Sequence, residues 1–413
     1  MLDSLVERAL DANGDVRVAV ARVEQARAAF DDTALDRFPE APVGASVNRT
    51  DGPAPGFSDE RRAIDTYRAG FDAYWEIDVF GRVRSAIQAA SASAQALEAN
   101  LDDVRVSVVA EVARNYFELR GLQQQQGVVE RSLVNQQETL RLTRVRLDAG
   151  IGQAQDVASA SARVAAIEAE LPPIRAALMR RAHRLAVLVG ERPGNLAADL
   201  TPRAYPALGK AIALGEPGTL LTRRPDVRAA ERRLAAATGR EGIAAADLYP
   251  RITVTGFLGL LAGRGSLFGR GDSVAYSVTP ALSWAGLDIG SARARLRGAE
   301  AATREAAAEY EHVVLLAIEE VQNALVGYRE QQRRLVSLVE QARESTRAAD
   351  IARVRYREGV SDFLSLLDAE RTQLQAEDAV AGAEAGVFTS MIAVYKALGG
   401  VPIQAPAAQQ ASR

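Results

Sequence analysis

Residues that could perform catalysis are few in this chain of 413 residues. The chain has no cysteine, which excludes disulfides, thiolate metal sites, cysteine nucleophiles and lipidation of the chain as it stands. Its two histidines, His183 and His312, lie in helical patterns and lack the spacing of a metal pair. No phosphate loop or nucleophile elbow is present, and most of the 53 carboxylates belong to charged helix faces. The sequence therefore predicts no enzyme, cofactor or metal site.

The composition narrows the class of protein further. A net charge of −3 argues against a nucleic-acid partner. No stretch approaches 18 uncharged apolar residues, so no transmembrane helix is predicted. Residues 1–4 do not begin a signal peptide, so the protein is either cytosolic or this sequence lacks its export segment.

The pattern of apolar residues changes period at Gly81, from that of a strand to that of a helix. In residues 67–79 the odd positions are apolar or small and the charges lie at even positions. After Gly81 the apolar residues recur every three or four positions, as in an α-helix. These seam residues are Leu97, Leu101, Val104, Val108, Val112, Tyr116 and Leu119. No proline interrupts residues 82–150, which predicts one helix of roughly 68 residues.

The same passage occurs twice in the chain, 209 positions apart. The matching pairs are Tyr67 and Tyr276, Trp75 and Trp284, Gly81 and Gly290, Gly150 and Gly359, and Ala160 and Ala369. Upstream, residues 14–17 and Pro39 match residues 225–228 and Pro250 at an offset of 211. The sequence therefore predicts two structural repeats, residues 1–209 and residues 210–413.

Each predicted repeat contains a helix, a pair of strands and a long helical hairpin. In the first repeat these are residues 3–38, a strand pair at 41–80 and a hairpin at 82–190, with an interruption at Pro172 and Pro173. In the second they are a helix at 226–248, a strand pair at 251–289 and a hairpin at 290–399. The sequence also predicts a solvent-exposed loop at 50–62, an irregular connector at 191–224 and a disordered tail from Pro402.

Four strands with one apolar and one charged face can serve two architectures. In a membrane they cannot close a barrel alone, because the smallest barrels have about eight strands and lipid does not tolerate an open edge. Three chains would supply twelve strands. The alternative is a soluble protein, such as a helical scaffold, in which the four strands form an ordinary sheet. Periodicity alone does not decide between them.

Several motifs resemble those of one bacterial family. Residues 220–231, LLTRRPDVRAAE, resemble the LLxRRPDxxAAE signature of the outer-membrane efflux proteins, which are TolC-like ducts, and especially of their OprM/NodT-like branch. Residues 75–82, WEIDVFGR, are similar to that branch's strand-to-helix motif. Further matches are the step at 170–173 and the second turn, at 356–360 and 367–370.

This resemblance implies a mainly α-helical fold with a β-barrel portion. Three chains would share a twelve-stranded barrel in outer-membrane lipid, continued by a long α-helical barrel across the periplasm. The implied function is a passive exit duct of a tripartite efflux pump for drugs or other small molecules. The implied partners are two further copies of this chain, a periplasmic adaptor (membrane fusion) protein and an inner-membrane RND-type transporter. Ducts of type I protein secretion and of metal-cation efflux remain alternatives. Family members normally begin with a signal peptide, often with a lipid-carrying cysteine, and this sequence has neither.

The resemblance also assigns roles to individual residues. It places the periplasmic gate at Asp156 in the first helical turn and at Tyr356, Leu364 and Asp368 in the second. Gly150 and Gly359 are the glycines of the two hairpin turns, and Trp75 and Trp284 are expected at a membrane interface. An aspartate ring would select against anions, and a leucine ring would narrow the pore.

Two family positions differ in this chain. Ser361 stands where some members have a locking arginine, and Ser365 where some have an aspartate. Arg355 or Arg357 could take over the locking role, or could simply complement the helix dipole.

Overall fold

The computed structural model describes residues 1–54, 58–206 and 223–400. Most of these residues are helical, and the rest of the regular structure is one four-stranded antiparallel sheet. The elements of the first half are α1 (Leu2–Ala12), α2 (Gly14–Leu35), β1 (Val43–Ala54), β2 (Ser58–Ile77), α3 (Arg82–Asp148) and α4 (Ala154–Leu188). Those of the second half are α5 (Pro225–Ala246), β3 (Arg251–Ala262), β4 (Val274–Ser283), α6 (Ile289–Arg357) and α7 (Phe363–Ala397). Among the described helices, none is long and apolar enough to cross a bilayer.

Residues 3–38 were predicted as one helix, and this prediction is wrong. The helix breaks at Asn13, whose backbone is extended at φ −62° and ψ 135°. The Asn13 side-chain oxygen accepts the backbone N–H groups of Asp15 at 2.8 Å and Val16 at 3.3 Å, so it caps α2. Its amide nitrogen donates to the Leu188 carbonyl at 2.9 Å, which ties the break to the end of α4.

The predicted interruption at Pro172 and Pro173 is also wrong, because both prolines lie inside the continuous helix α4. A proline removes one helical N–H donor and normally kinks or ends a helix. Here the flanking turns are held by packing: Ile167 and Leu171 are buried in a cluster with Val128 of α3 and Leu374 of α7. Tertiary contacts therefore outweigh the local preference.

The strands extend farther than the sequence pattern indicates. Residues 50–62 were predicted as an exposed loop, yet β1 continues to Ala54 and β2 begins at Ser58. Pairing accounts for this, because β1 and β2 stay in register from Val43 opposite Phe71 to Arg61 opposite Pro53. Backbone hydrogen bonds across the hairpin thus override the Gly and Pro content of this segment.

The register of the sheet, in the order β1-β2-β3-β4, collects most of the large apolar residues of the four strands on one face. Across this face Phe71 pairs with Val43 and Leu258, and Leu258 pairs with Tyr276. The opposite face carries Arg68 and Asp72 and the threonines and serines of β3 and β4. Many apolar side chains of the first face are exposed in the single chain, among them Val43, Val47, Phe71, Leu258, Val274, Tyr276, Val278 and Leu282.

The WEIDVFGR motif forms the joint between β2 and α3. Gly81 has a φ of 84°, which lets the chain turn from strand to helix. The Asp78 carboxylate accepts the N–H groups of Val83 and Arg84 at 3.1 and 2.9 Å and so caps α3. Glu76 accepts two hydrogen bonds from Arg82, each of 2.6 Å, although the glutamate is buried. Four positions of the motif, Glu76, Asp78, Gly81 and Arg82, thus have a structural reason for their residue type.

The described residues form two compact units. A helical unit contains residues 1–20, the described parts of 100–227 and 314–400, and a sheet unit contains residues 21–99 and 228–313. In the helical unit Phe117, Tyr205 and Phe388 stack on one another, with Phe117 and Phe388 ring centroids 4.6 Å apart. There too Arg224, from the RRPD run of the sequence, donates to Asp226, Glu320 and the Ala397 carbonyl. Leu220, Leu221 and Thr222 of that motif and the predicted tail from Pro402 lie outside the described residues.

Candidate functional site: the two helical turns

Both long helical hairpins turn through the same backbone motif. Gly150 and Gly359 have φ angles of 73° and 76°, in the left-handed region that favours glycine. Their N–H groups donate to the carbonyls three residues earlier, at 2.9 and 3.1 Å. The next residues, Ile151 and Val360, donate to the carbonyls five residues earlier. This is a Schellman ending, and it explains why glycine stands at both positions.

The second turn is packed against all four helices of the two hairpins. Tyr356 is 5% exposed and forms a cluster with Leu140 of α3, Ala160 of α4, and Phe363 and Leu366 of α7. Its ring centroid lies 5.8 Å from that of Phe363. Its hydroxyl lies 3.5 Å from the Thr143 Oγ1. Tyr356 is therefore a buried packing residue of its own chain.

Arg146, from the last turn of α3, binds the C-terminal end of α6. Its Nη1 donates to the Tyr356 carbonyl at 2.7 Å, and its guanidinium lies 4.7 Å from the centre of the Tyr356 ring. A cation at a helix C-terminus satisfies a free carbonyl and complements the helix dipole. By contrast, Arg355 and Arg357, which the sequence offered for a locking role, are exposed.

Asp156 lies in the first turn of α4 and is half-buried. Its neighbour Val157 packs on the Tyr356 cluster. Within the part of the chain that the structure describes, its carboxylate makes no hydrogen bond or ion pair. Asp156 and Tyr356, which the resemblance places together at the gate, are therefore not hydrogen-bonded to each other among the described residues.

Leu364 and Asp368 lie one helical turn apart near the start of α7. Leu364 is 62% exposed, and Asp368 is exposed and pairs with Arg371 at 2.6 Å. At the same end of α7, Asp362 caps the helix by accepting the Ser365 N–H at 2.8 Å. The structure therefore presents Leu364 and Asp368 on an open face of α7, and it buries Tyr356 away from them.

The sequence analysis missed a buried ion pair close to this site. Glu370 of α7 is 8% exposed and accepts a hydrogen bond of 2.9 Å from Arg353 of α6. Thr139 of α3 lies 3.4 Å from the same carboxylate oxygen, and Arg353 also donates to Gln373 at 2.7 Å. Burial raises the pKa of Glu370, although Arg353 acts in the opposite direction.

A signal for this ion pair was present in the sequence. The buried positions of α7 include Phe363, Leu366, Glu370 and Leu374, so the glutamate falls in step with the apolar seam of the helix. A carboxylate at such a position needs a partner, because an unpaired buried charge is costly.

The two tryptophans occupy equivalent places in the sheet unit. The Trp75 indole N–H donates to the Arg37 carbonyl at 3.1 Å, and that of Trp284 donates to the Leu248 carbonyl at 3.0 Å. Trp284 is 55% exposed, and Trp75 is half-buried. The described residues contain no group of three or more His, Asp or Glu that could hold a metal ion.

The profile of the outer membrane efflux protein family matches residues 5–191 and 217–400, and the chain belongs to this family. It is 32% identical over 401 residues to outer membrane protein OprJ of Pseudomonas aeruginosa, covering 97% of this chain and 84% of that protein. It is 31% identical to the toluene efflux pump outer membrane protein TtgI of Pseudomonas putida, covering 96% and 84%.

Solved structures show the same fold. The outer-membrane channel OprN matches with a TM-score of 0.93 and 49% identity, over 97% of this chain and 90% of that one. Outer membrane protein VceC of Vibrio cholerae matches with a TM-score of 0.87 and 26% identity, over 96% of each chain. The fold is that of the TolC-like channels, as the sequence motifs predicted. These relatives are outer membrane efflux channels and not enzymes, which confirms the prediction of a non-enzyme.

Proposed function

We propose that this protein is the outer-membrane exit duct of a tripartite efflux pump and that it works as a homotrimer. The observation that carries this proposal is the sheet, whose four strands place most of their large apolar residues in register on one face. Such a face suits lipid, and the polar face suits a water-filled lumen. Three copies would close twelve strands and remove both free edges. Trp75 and Trp284 would then lie at the membrane interface.

Helix α6 gives independent support for self-association. The apolar seam of the first repeat has its counterpart on α6, 209 positions later, and this counterpart is half-buried or buried in the chain. Its residues are Ala306, Tyr310, Val313, Ala317, Val321, Leu325 and Tyr328. A second set of large apolar side chains on α6 stays exposed: Leu315, Leu316, Val326, Val336, Val339, Ile351 and Val354. A soluble monomer rarely leaves so many apolar residues uncovered along one helix. A neighbouring copy would cover them.

The helical turns would form the periplasmic end, where Asp156, Tyr356, Leu364 and Asp368 act as the gate. Its exposed members, Leu364 and Asp368, would meet their copies near the three-fold axis, with Leu364 narrowing the pore and Asp368 favouring cations. Buried Tyr356 would support them by packing. Cargo would pass without chemical change, delivered by an inner-membrane RND-type transporter through a periplasmic adaptor protein.

Two measurements test this proposal. The mass of the detergent-solubilised protein should be that of three chains, and the protein should carry ionic current across planar bilayers. Val336→Glu should prevent assembly by placing a charge in the covered face, and Val336→Thr, of matched size, should assemble. A folded parent protein that stays monomeric, or that inserts without carrying current, would contradict the duct.

A further inference from the structure

Two glycines face each other on the polar side of the sheet, Gly70 of β2 and Gly259 of β3. The strands approach so closely here that a Cβ added to Gly70 would lie 2.5 Å from the Leu258 carbonyl oxygen and 2.6 Å from the Gly259 Cα. A Cβ added to Gly259 would collide with the Ala69 carbonyl oxygen. Only glycine fits at these two positions without moving the backbone. The pair, called the glycine row below, leaves a shallow depression in the polar face because it has no side chains.

Two large side chains lie over this depression. The Phe257 Cε2 atom is 2.9 Å from the Cβ position that Gly70 lacks. The Arg68 guanidinium carbon lies 4.1 Å from the centre of the Phe257 ring, a cation–π distance. Asp72 accepts hydrogen bonds from both terminal nitrogens of Arg68, at 3.1 Å from Nη1 and in a shorter contact from Nη2. The ion pair and the stacking hold both side chains along the sheet.

We propose that this glycine row sets the free width of the barrel lumen at its level, which makes Gly70, Gly259, Phe257 and Arg68 size-selecting residues of the channel. The inference rests on the proposed function, in which the polar face of the sheet is the inner wall. A phenylalanine and an arginine on an ordinary row would project from the wall. Over two glycines they lie against it, and three chains would keep six such side chains out of the path of bulky cargo.

A purely structural role for the ring is the competing explanation, since an aromatic side chain that covers a strand glycine stabilises the sheet. A test must therefore measure passage through the barrel as well as stability. Residues 1–413 contain no cysteine, which makes such a test possible. Ser283→Cys introduces one thiol on the polar face at the end of β4, opposite Arg251 and nearer the helices than the glycine row.

In the experiment, membrane-impermeant thiol reagents are added outside intact cells that express the Ser283→Cys protein. One reagent is a small methanethiosulfonate, and the other is a maleimide carrying a bulky polyethylene glycol. The measured quantity is the ratio of the two labelling rates, bulky over small. Each variant is also scored for trimer assembly and for the temperature at which the trimer dissociates.

Gly70→Ala should lower this ratio several-fold, because the added Cβ would lie 2.9 Å from the Phe257 ring and push it, with the stacked Arg68, off the wall. Phe257→Ala should raise it. Gly256→Ala is the matched control, since Gly256 lies on the opposite face, where an added Cβ would meet the Ala73 Cβ at an ordinary 3.4 Å. The control should leave the ratio unchanged.

If Phe257→Ala changes the dissociation temperature but not the ratio, the ring only covers the glycine and the inference is wrong. The same holds if an assembled Gly70→Ala trimer keeps the parent's ratio. Should Gly70→Ala fail to assemble, Phe257→Ala decides alone, because it adds no atom. A folded Ser283→Cys trimer that even the small reagent does not label from outside would overturn the proposed function instead.

Discussion

The two helical turns share one backbone geometry but differ in the side chains that hold them. In the second hairpin, Arg353 of α6 pairs with buried Glu370 of α7. The equivalent positions of the first hairpin, 209 residues earlier, are the exposed Arg144 and Ser161, which cannot form this pair. The cap differs too, because Asp362 accepts the Ser365 N–H, whereas Gln153 at the start of α4 makes no side-chain cap.

If the two turns form the proposed gate, this difference means that they contribute to it unequally. The second turn is fixed by its own chain, through a buried ion pair, a capped helix and the Tyr356 cluster. The first turn leaves Asp156 half-buried and without a partner among the described residues, so its carboxylate is free to meet a neighbouring chain. We infer that the second turn keeps its structure when the gate opens. The first turn would supply the contact between chains that breaks.

The largest expected effect comes from removing the buried carboxylate of the second turn. Glu370→Ala should destabilise the turn by about 1.5–3 kcal/mol, because it removes the hydrogen bond from Arg353 to a buried carboxylate, although Arg353 keeps its contacts to Asp350 and Gln373. Hydrogen exchange should rise in peptides covering residues 353–374 and stay near the parent level in those covering residues 144–165. Equal exchange in both regions would contradict the inequality of the two turns.

Glu370→Gln is the matched control for this change. The amide keeps the size of the glutamate and can still accept a hydrogen bond from Arg353, but it removes the buried charge. We expect it to cost much less than Glu370→Ala.

The next largest effect on stability is expected from substitutions in the turns themselves. Gly152 and Ser361 are equivalent positions, but a Cβ on Gly152 would lie 2.7 Å from the Leu147 backbone nitrogen. Gly152→Ala should therefore cost about 1–2 kcal/mol by overpacking. Ser361→Ala, at an already substituted position, should change stability very little. Thermal dissociation of the trimer measures both, and an equal effect would mean that the two turns are equally tight.

The sequence predicted the long helices, both glycine turns and the strand-to-helix joint, because each depends on local periodicity or on one special backbone angle. It failed at Asn13, at Pro172 and Pro173 and at residues 50–62, where hydrogen bonds or packing from distant segments decide. The position of Glu370 on the apolar seam could be read locally. Its partner Arg353 could not, since that pairing depends on how α6 and α7 are aligned.

A smaller effect concerns pH. Burial raises the pKa of Glu370 above its ordinary value of about 4.5, even with Arg353 and Arg163 nearby. The folded chain therefore binds this proton more readily than the unfolded chain does. The contribution of Glu370 to the free energy of unfolding should rise as pH falls through its folded pKa, and it should be lowest above that pKa. The contribution of Glu370 is isolated by comparing the pH dependence of trimer dissociation in the parent and in Glu370→Gln. If the parent loses more stability than the variant on acidification, the predicted direction of the pH effect is wrong.

The smallest effect on stability, and the most informative for the gate, is expected from Asp156→Ala. Because this carboxylate has no partner among the described residues of its own chain, each chain of the variant should fold like the parent. If a neighbouring chain supplies the partner, each interface loses a contact of about 1–3 kcal/mol, and three such losses shift a two-state gate toward open. Planar bilayers should then show higher conductance for Asp156→Ala, and also for Leu364→Ser, which widens the pore. Asp368→Asn should instead weaken cation selectivity and block by multivalent cations. Parent-like conductance and selectivity in all three variants would place the gate elsewhere, and Asp156 would then be no more than a polar residue at the start of a helix.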